Sequence, residues 1–200
     1  MQKIILASQS PRRKQLLEWA EVPFVVIAAN TAELIPENTP VSEVPIHIAR
    51  EKALFVKNKI IERTEGRPVE EANLPVLAAD TIVVLGEEII GKPENRNHAI
   101  DILTRLSGQH HKVITGVIIL HGNKEVGFSD TTDVLFHELT REQIEFYVDN
   151  YKPYDKAGAY AIQEWIGVVG IKSVSGDFYN VMGLPVSRVI RELEKLELQA

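Results

Sequence analysis

One carboxylate interrupts an apolar stretch of the chain. Asp80 stands inside the run from Val76 to Leu85, where every other residue except Thr81 is apolar. Burying an ionised carboxylate costs free energy unless a cation, a metal ion or hydrogen bonds compensate its charge. An Asp in a turn at the end of a strand is the structural alternative, but the apolar run continues directly after Thr81. Asp80 is therefore a candidate functional residue.

Two arginines stand where a helix is predicted to begin. Arg12 and Arg13 follow the segment "ASQSP", and the N-terminus of a helix carries about half a positive charge. Two cations at this position are unfavourable unless an anion lies between them. Ser8 and Ser10 place hydroxyls at the same point, although Ser10 could simply cap the helix. The segment predicts a site for a small anion at the helix N-terminus.

Three lysines could add positive charge to such a site. In "IHIAREKALFVKNKI", Lys52 lies about 60° from Ala49, at the border of the apolar stripe. Its side chain could extend along apolar surface into water or reach an anion, and helix geometry leaves both alternatives open. Lys92 in "GKP" and Lys156 in "YDKAGAY" fall in predicted turns, where an exposed structural lysine is the common alternative. The stripe itself comprises Ile46, Ala49, Ala53, Val56 and Ile60.

These basic residues, taken with Glu33 and Asp80, suit a phosphate ester held by cations, a divalent metal and an activated water. The sequence contains neither G-x-x-x-x-G-K-[ST] nor G-x-G-x-x-G, so the common nucleotide-binding loops are unsupported. Its six histidines lack zinc-binding spacing, and it has no G-x-S-x-G motif for a serine nucleophile. The residues alone therefore predict metal-assisted phosphate chemistry on a small anion.

Composition narrows the class of protein. The chain has 200 residues, no cysteine and a formal net charge of −6, which argues against general nucleic-acid binding. No apolar run approaches the ~20 residues that span a bilayer, and the N-terminus does not resemble a signal peptide. We expect a cytoplasmic protein that forms a single domain over residues 1–200, without membrane or nucleic-acid partners.

Strand-like and helix-like segments interleave along the chain, with a hairpin predicted around "HGNK". This order predicts an α/β fold with a mixed twisted sheet flanked by helices. The predicted strands are Lys3–Ala7, Phe24–Ala28, Val76–Leu85, Val168–Val174 and the two hairpin arms "HKVITGVIIL" and "EVGFSDTTDVLF"; the predicted helices are Pro11–Ala20, Ser42–Arg63, Asn95–Leu106, Arg141–Asn150 and Val186–Leu196.

Seven ordered motifs carry a family resemblance: "LASQSPRR", "AREKA", "AADTIV", "GKP", "LSGQ.H.V.TGV", "DKAGAYAIQ" and "NVMGLP". Together they resemble the Maf family of nucleotide pyrophosphatases, from Ile4 to about Leu193. The resemblance implies an α/β fold similar to that of inosine triphosphate pyrophosphatases, with two lobes and a central cleft. It also implies hydrolysis of nucleoside triphosphates to the monophosphate and pyrophosphate with a divalent cation, Mg²⁺ or Mn²⁺.

The resemblance also assigns roles to individual residues. Asp80 is expected to accept a proton from the attacking water and, together with Glu33, to bind the metal. The segment "NTAE" lacks the second acid that many family members have near Glu33, so the number of metal-binding carboxylates stays open. The residues expected to bind substrate are Ser8, Ser10, Arg12, Arg13, Lys52, Thr81, Lys92 and Gln163.

Three of these residues match one subgroup of the family. At Arg12, Thr81 and Gln163 the sequence resembles the dTTP/UTP pyrophosphatases, and the Gln163 amide could recognise a pyrimidine edge with its donor and acceptor.

The alternatives are a Maf pyrophosphatase for other or modified nucleotides and a non-catalytic nucleotide-binding regulator of cell division. A homodimer is possible. We expect replacement of both Arg12 and Arg13 to abolish turnover without lowering thermal stability.

Overall fold

The protein is described by a computed structural model that covers residues 1–31, 35–36, 38–64 and 70–198. The strands are β1 (Ile4–Leu6), β2 (Phe24–Val26), β3 (Val76–Leu85), β4 (Glu88–Ile90), β5 (His110–His121), β6 (Lys124–Phe136) and β7 (Ile171–Ser175). The α-helices are α1 (Pro11–Trp19), α2 (Val44–Thr64), α3 (Arg96–Leu106), α4 (Arg141–Tyr151), α5 (Trp165–Gly170), α6 (Phe178–Met182) and α7 (Val186–Glu197). Short 3₁₀ turns cover Glu70–Asn73 and Ala157–Ala159.

The strands form one mixed sheet in the order β2-β1-β3-β5-β6-β7, with β4 paired to β3. β1 runs parallel to both β2 and β3, whereas β4 and β7 are antiparallel to β3 and β6. Helices flank this sheet, so the predicted α/β class with a mixed sheet is confirmed. The lobes and the central cleft stay a prediction.

Residue contacts divide the chain into two compact units, each built from separate segments. Unit 1 contains residues 1–80, 115–130 and 183–200, and unit 2 contains residues 81–114 and 131–182. The chain therefore passes from unit 1 to unit 2 directly after Asp80, within β3. That a single domain spans the whole chain stays a prediction.

The core of unit 1 forms between α2 and the strands β1, β3 and β5. The predicted stripe of α2 faces this core, because Ala49, Ala53 and Val56 are fully buried. Gly116 of β5 allows the start of α2 to approach closely, since a Cβ there would lie 2.3 Å from the Ile46 backbone nitrogen. Helix α2 is consequently held at a defined distance from the sheet, and Lys52 comes to the edge of the buried face.

Unit 2 packs α3 against α4 beside the other halves of β3, β5 and β6. Helix α4 begins with the predicted capping box, in which Thr140 and Gln143 each accept a hydrogen bond from the other's backbone nitrogen. The strand predicted from Val168 is wrong at its start, because residues Val168 to Gly170 belong to α5. A short apolar run does not distinguish a buried strand from a helix, and β7 begins only at Ile171.

None of the helices in the described part of the chain is both long and apolar enough to cross a membrane. The cytoplasmic location and the homodimer remain predictions.

Candidate active site

A close ion pair joins two of the predicted site residues in unit 1. The Nζ atom of Lys52 in α2 lies 2.6 Å from Oδ1 of Asp80 in β3. Their side chains are 14% and 12% exposed, so the pair is largely removed from water but still accessible. The position of Lys52 at the border of the apolar stripe explains this geometry, because the residue can leave the core and cross to the sheet. Of the two alternatives for Lys52, the structure supports contact with a charged group.

The start of α1 forms a second cluster in unit 1. Ser10 caps the helix by accepting a hydrogen bond from the Arg13 backbone nitrogen, and Pro11 occupies the first turn. Ser8 is buried, and its hydroxyl accepts bonds at 3.2 Å from the Ser10 backbone nitrogen and from Nη1 of Arg13. The capping alternative for Ser10 therefore holds, and the hydroxyl of Ser8 orients a guanidinium group.

Arg13 is more deeply embedded than the sequence indicates. Its side chain is buried, and its Nε donates a 2.8 Å hydrogen bond to the backbone oxygen of Gly183. This bond connects α1 to the segment that precedes α7. The expectation that Arg13 can be replaced without loss of stability does not fit these contacts. Arg12, by contrast, is half-buried and lies on the neighbouring helical position.

Strand direction explains why the Lys52–Asp80 pair and the start of α1 both lie towards the carboxyl ends of the parallel strands in unit 1. β1 and β3 are parallel, and Leu6 is in register with Leu77. β1 therefore ends a few residues before the level of Asp80, and the chain continues through Ser8 into α1. Ligands of α/β proteins commonly bind beyond the carboxyl ends of parallel strands, where helix N-termini also point. The hydroxyls and guanidinium groups are thus placed on elements suited to an anion, and the carboxylate of Asp80 stands on the neighbouring strand.

The remaining predicted residues belong to unit 2. Thr81 follows Asp80 in β3 and is half-buried, whereas Lys92 is exposed directly after β4. Gln163 is exposed in the turn that precedes α5. All three side chains are at least partly exposed.

A hydrogen-bonded group that local sequence patterns do not predict surrounds Lys156. This lysine is 8% exposed and lies 2.8 Å from Oδ1 of Asp155 and 3.6 Å from Oε1 of Glu164. Tyr147 donates a hydrogen bond to the other carboxylate oxygen of Glu164. The motif "DKAGAYAIQ" signals Lys156, but Tyr147 comes from a different helix and carries no local signal.

The predicted metal-binding residues are only partly described. Glu33 lies outside the described residues, and those that are described contain no group of three or more side chains suited to hold a metal. One carboxylate fits Mg²⁺ nevertheless, because this ion commonly binds one or two carboxylates and completes its shell with water and substrate phosphates. Asp80 is a suitable hard oxygen ligand of this kind.

Comparison with known proteins supports a family assignment. A model of the family described as "Maf-like protein" matches residues 3–196. A protein of Cytophaga hutchinsonii named dTTP/UTP pyrophosphatase is 48% identical over 96% of this chain and 84% of its own length. Proteins of the same name from Parabacteroides distasonis and Bacteroides thetaiotaomicron are 44% and 43% identical, over 96% and 97% of this chain and 95% and 96% of their own lengths.

Among solved structures, the Staphylococcus aureus Ham1 protein aligns with 68% of this chain and 73% of its own, with 15% identity and a TM-score of 0.37. That similarity is too low to carry an argument. The family match and the relatives both extend over almost the whole sequence. The chain belongs to the Maf-like protein family.

Proposed function

We propose that this protein is a nucleotide pyrophosphatase that hydrolyses dTTP and UTP to the monophosphate and pyrophosphate. The observation that carries the proposal is the Lys52–Asp80 pair, 2.6 Å apart, in the same unit as a helix N-terminus that carries two arginines. The names of the relatives with 43–48% identity support the same reaction and the same substrates. A protein that only binds nucleotide has no need of a carboxylate at this place.

The reaction requires a base, an oriented phosphate chain and compensation of negative charge. Asp80 contacts Lys52 through Oδ1, and we assign its Oδ2 the role of accepting a proton from the attacking water. The water's oxygen forms a bond to the α-phosphorus, and the bond from that phosphorus to the bridging oxygen breaks. The bridging oxygen and its electron pair leave with the pyrophosphate.

Basic residues of unit 1 compensate the charge on the leaving group. Lys52 supplies an ammonium beside Asp80, and Arg12 supplies a guanidinium at the N-terminus of α1. Planar guanidinium groups bind phosphate oxygens through two parallel hydrogen bonds.

Ser8 and the backbone of Gly183 orient Arg13, which reduces the conformational entropy lost when a phosphate binds. We assign Ser10 and Lys92 to the same phosphate chain.

A divalent cation, Mg²⁺ or Mn²⁺, is the cofactor we propose, with Asp80 and Glu33 as its protein ligands. Such an ion lowers the pKa of water and neutralises charge that develops on phosphate oxygens. The sequence position of Glu33 and the hard oxygen of Asp80 support this assignment.

Base selection is assigned chiefly to Gln163. The Gln163 side chain is exposed, and its amide offers one donor and one acceptor, which matches the edge of uracil or thymine. Thr81 adds a hydroxyl next to Asp80, and we also assign Arg12 a role in base selection.

A pyrophosphate-release assay tests the proposal. The purified protein is supplied separately with dTTP, UTP, dCTP, dATP and dGTP, in Mg²⁺, in Mn²⁺ and in EDTA. We expect pyrophosphate from dTTP and UTP at the highest kcat/KM, and none in EDTA. Preference for another or a modified nucleotide would reassign the substrate. Nucleotide binding by calorimetry without any hydrolysis would favour the non-catalytic regulator instead.

A further inference from the structure

The turn that carries Gln163 is closed by its own backbone. The Glu164 nitrogen donates a 3.1 Å hydrogen bond to the oxygen of Ala161, and Gln163 lies between these residues with an exposed side chain. Water competes with any ligand for the hydrogen bonds of an exposed amide. Such a side chain discriminates between bases only if its backbone holds it in a fixed direction.

One phenol oxygen holds both ends of this turn. The hydroxyl of Tyr147 accepts a 3.2 Å hydrogen bond from the Ala161 nitrogen and donates one to Oε2 of Glu164. Tyr147 is completely buried in α4, and its ring stacks on Tyr151 with centroids 5.0 Å apart. The hydroxyl is thus a stationary point to which the turn is attached.

The opposite side of the Glu164 carboxylate faces Lys156, whose Nζ lies 3.6 Å from Oε1. The loop of Lys156 is tied in turn to the segment of Lys92, because Gly158 donates a 3.1 Å backbone bond to Gly91. A Cβ on Gly158 would meet the Val83 side chain at 2.9 Å, so this loop fits only with glycine there. Glu164 therefore connects the turn of Gln163 to the loops that carry the two lysines.

Packing leaves little room for the turn to move towards α5. A Cβ on Gly167 would lie 1.7 Å from the backbone oxygen of Ile162, which precedes Gln163. The turn is consequently confined by α5 on one side and by the Tyr147 hydroxyl at its ends.

We propose that Tyr147 and Glu164 are positioning residues that set the direction of Gln163 and so determine how strongly the protein prefers a uracil or thymine base. This inference rests on the proposed function, because it concerns the same nucleotide site. Neither residue has to touch the substrate. Removal of the Tyr147 hydroxyl breaks its bonds to both ends of the turn, and the amide of Gln163 is then held less firmly in one direction.

The test is a double-mutant cycle between Tyr147→Phe and Gln163→Ala, with kcat and KM measured for dTTP and dCTP. We expect Tyr147→Phe to lower the dTTP-to-dCTP ratio of kcat/KM about five- to tenfold, the size expected for a lost hydrogen bond. The loss should lie in KM for dTTP, with kcat little changed. In the Gln163→Ala background, Tyr147→Phe should lower the ratio no further.

Two other variants complete the experiment. Tyr151→Phe removes the hydroxyl of the ring stacked on Tyr147, and we expect it to leave the ratio unchanged. Glu164→Gln keeps an oxygen for the Tyr147 hydroxyl but removes the charge that faces Lys156, so the ratio should fall less than in Tyr147→Phe. If Tyr147→Phe does not fold, the cycle is repeated with Glu164→Gln.

The outcomes separate this inference from the proposed function. An unchanged ratio in Tyr147→Phe, alongside a lowered one in Gln163→Ala, overturns the positioning role alone. A loss of kcat shared equally by both nucleotides also overturns it and assigns Tyr147 to folding. Absence of pyrophosphate release by the unaltered protein refutes the proposed function. An unchanged ratio in Gln163→Ala refutes base selection by Gln163 and the inference with it.

Discussion

Two pairs of ionisable side chains are hydrogen-bonded in different units and differ in burial. In unit 1, Lys52 and Asp80 lie 2.6 Å apart with side chains 14% and 12% exposed. In unit 2, Nε2 of His111 and the hydroxyl of Tyr160 lie 2.8 Å apart, in residues that are 2% and 6% exposed. The distances are similar, and the first pair is the more exposed of the two: Asp80 as a whole residue is 9% exposed, and Lys52 is half-buried.

The charge of each pair explains the difference. Burial lowers the pKa of His111 from 6.5 to about 4 and raises the pKa of Tyr160 above its usual value, so both are neutral near pH 7. Both rings also pack edge-to-face on Phe136, with centroids 5.2 and 5.0 Å away. A neutral pair can be enclosed completely at low cost, whereas a charged pair is stabilised by residual solvation. The charged pair is therefore the one that keeps more of its solvent exposure.

The largest expected effect comes from removing the charge of Asp80. Asp80→Asn should lower kcat for dTTP by about 10²- to 10⁴-fold, because an amide cannot accept the proton from the attacking water. The variant should still fold, since the amide oxygen can accept a hydrogen bond from Lys52, but its melting temperature should fall because the Lys52 ammonium loses its counter-charge. Steady-state kinetics and a thermal melt of the same preparation measure both quantities.

A matched control is Asp149→Asn, which neutralises an exposed carboxylate bound to Arg96 at 2.6 Å. That variant should keep the kcat of the unaltered protein. Undiminished dTTP turnover in Asp80→Asn would remove Asp80 from the catalytic role and erase the functional contrast between the pairs.

The next effect is a dependence of stability on pH that originates in His111. Its pKa is about 4 in the folded protein and near 6.5 when exposed, so the unfolded chain binds more protons between these values. Stability is then present above pH 6.5 and is lost as the pH falls. Between pH 7 and pH 5 this residue should lower the free energy of unfolding by about 2 kcal/mol.

Urea denaturation at both pH values measures this difference. His111→Gln keeps a hydrogen-bonding side chain that does not titrate, so its stability should decline by correspondingly less than that of the unaltered protein. Equal declines in both proteins would show that His111 is not held neutral by burial.

The smallest effect concerns the hydroxyl of Tyr160. Tyr160→Phe removes the bond to Nε2 of His111 and should lower the free energy of unfolding by about 1 kcal/mol. Its kcat for dTTP should not change, because the pair lies in the core of unit 2. Tyr179→Phe is the matched control at an exposed tyrosine, and urea denaturation of both variants provides the comparison. A specific loss of dTTP turnover in Tyr160→Phe would give the neutral pair a functional role.

Much of the fold could be predicted from local patterns. The stripe on α2, the hairpin of β5 and β6, and the capping box of α4 all follow from residue spacing, and the structure contains each of them. The start of β7 could not be predicted, because the apolar residues Val168 and Val169 satisfy a strand pattern while the backbone continues α5. Both residues are exposed, so their apolar character does not reflect burial in a strand.

The candidate site also contains residues that the sequence predicts and contacts that it does not predict. Asp80, the arginines and the lysines could be selected from the sequence, because charge in an apolar or helix-terminal position is a local anomaly. The hydrogen bond from Arg13 to the backbone of Gly183 could not be predicted from the sequence, because these residues are 170 positions apart. The attachment of the Gln163 turn to Tyr147 depends likewise on how α4 packs.

The sequence by itself determined which residues could perform chemistry and which elements carry them, because residue type, spacing and capping act over a few positions. Only the tertiary structure decided which partner each charged group has. Lys52 could have entered water or met an anion, and the register of α2 over the sheet brought it to Asp80. Hydrogen bonds and ion pairs form over about 3 Å, and only packing brings distant segments that close.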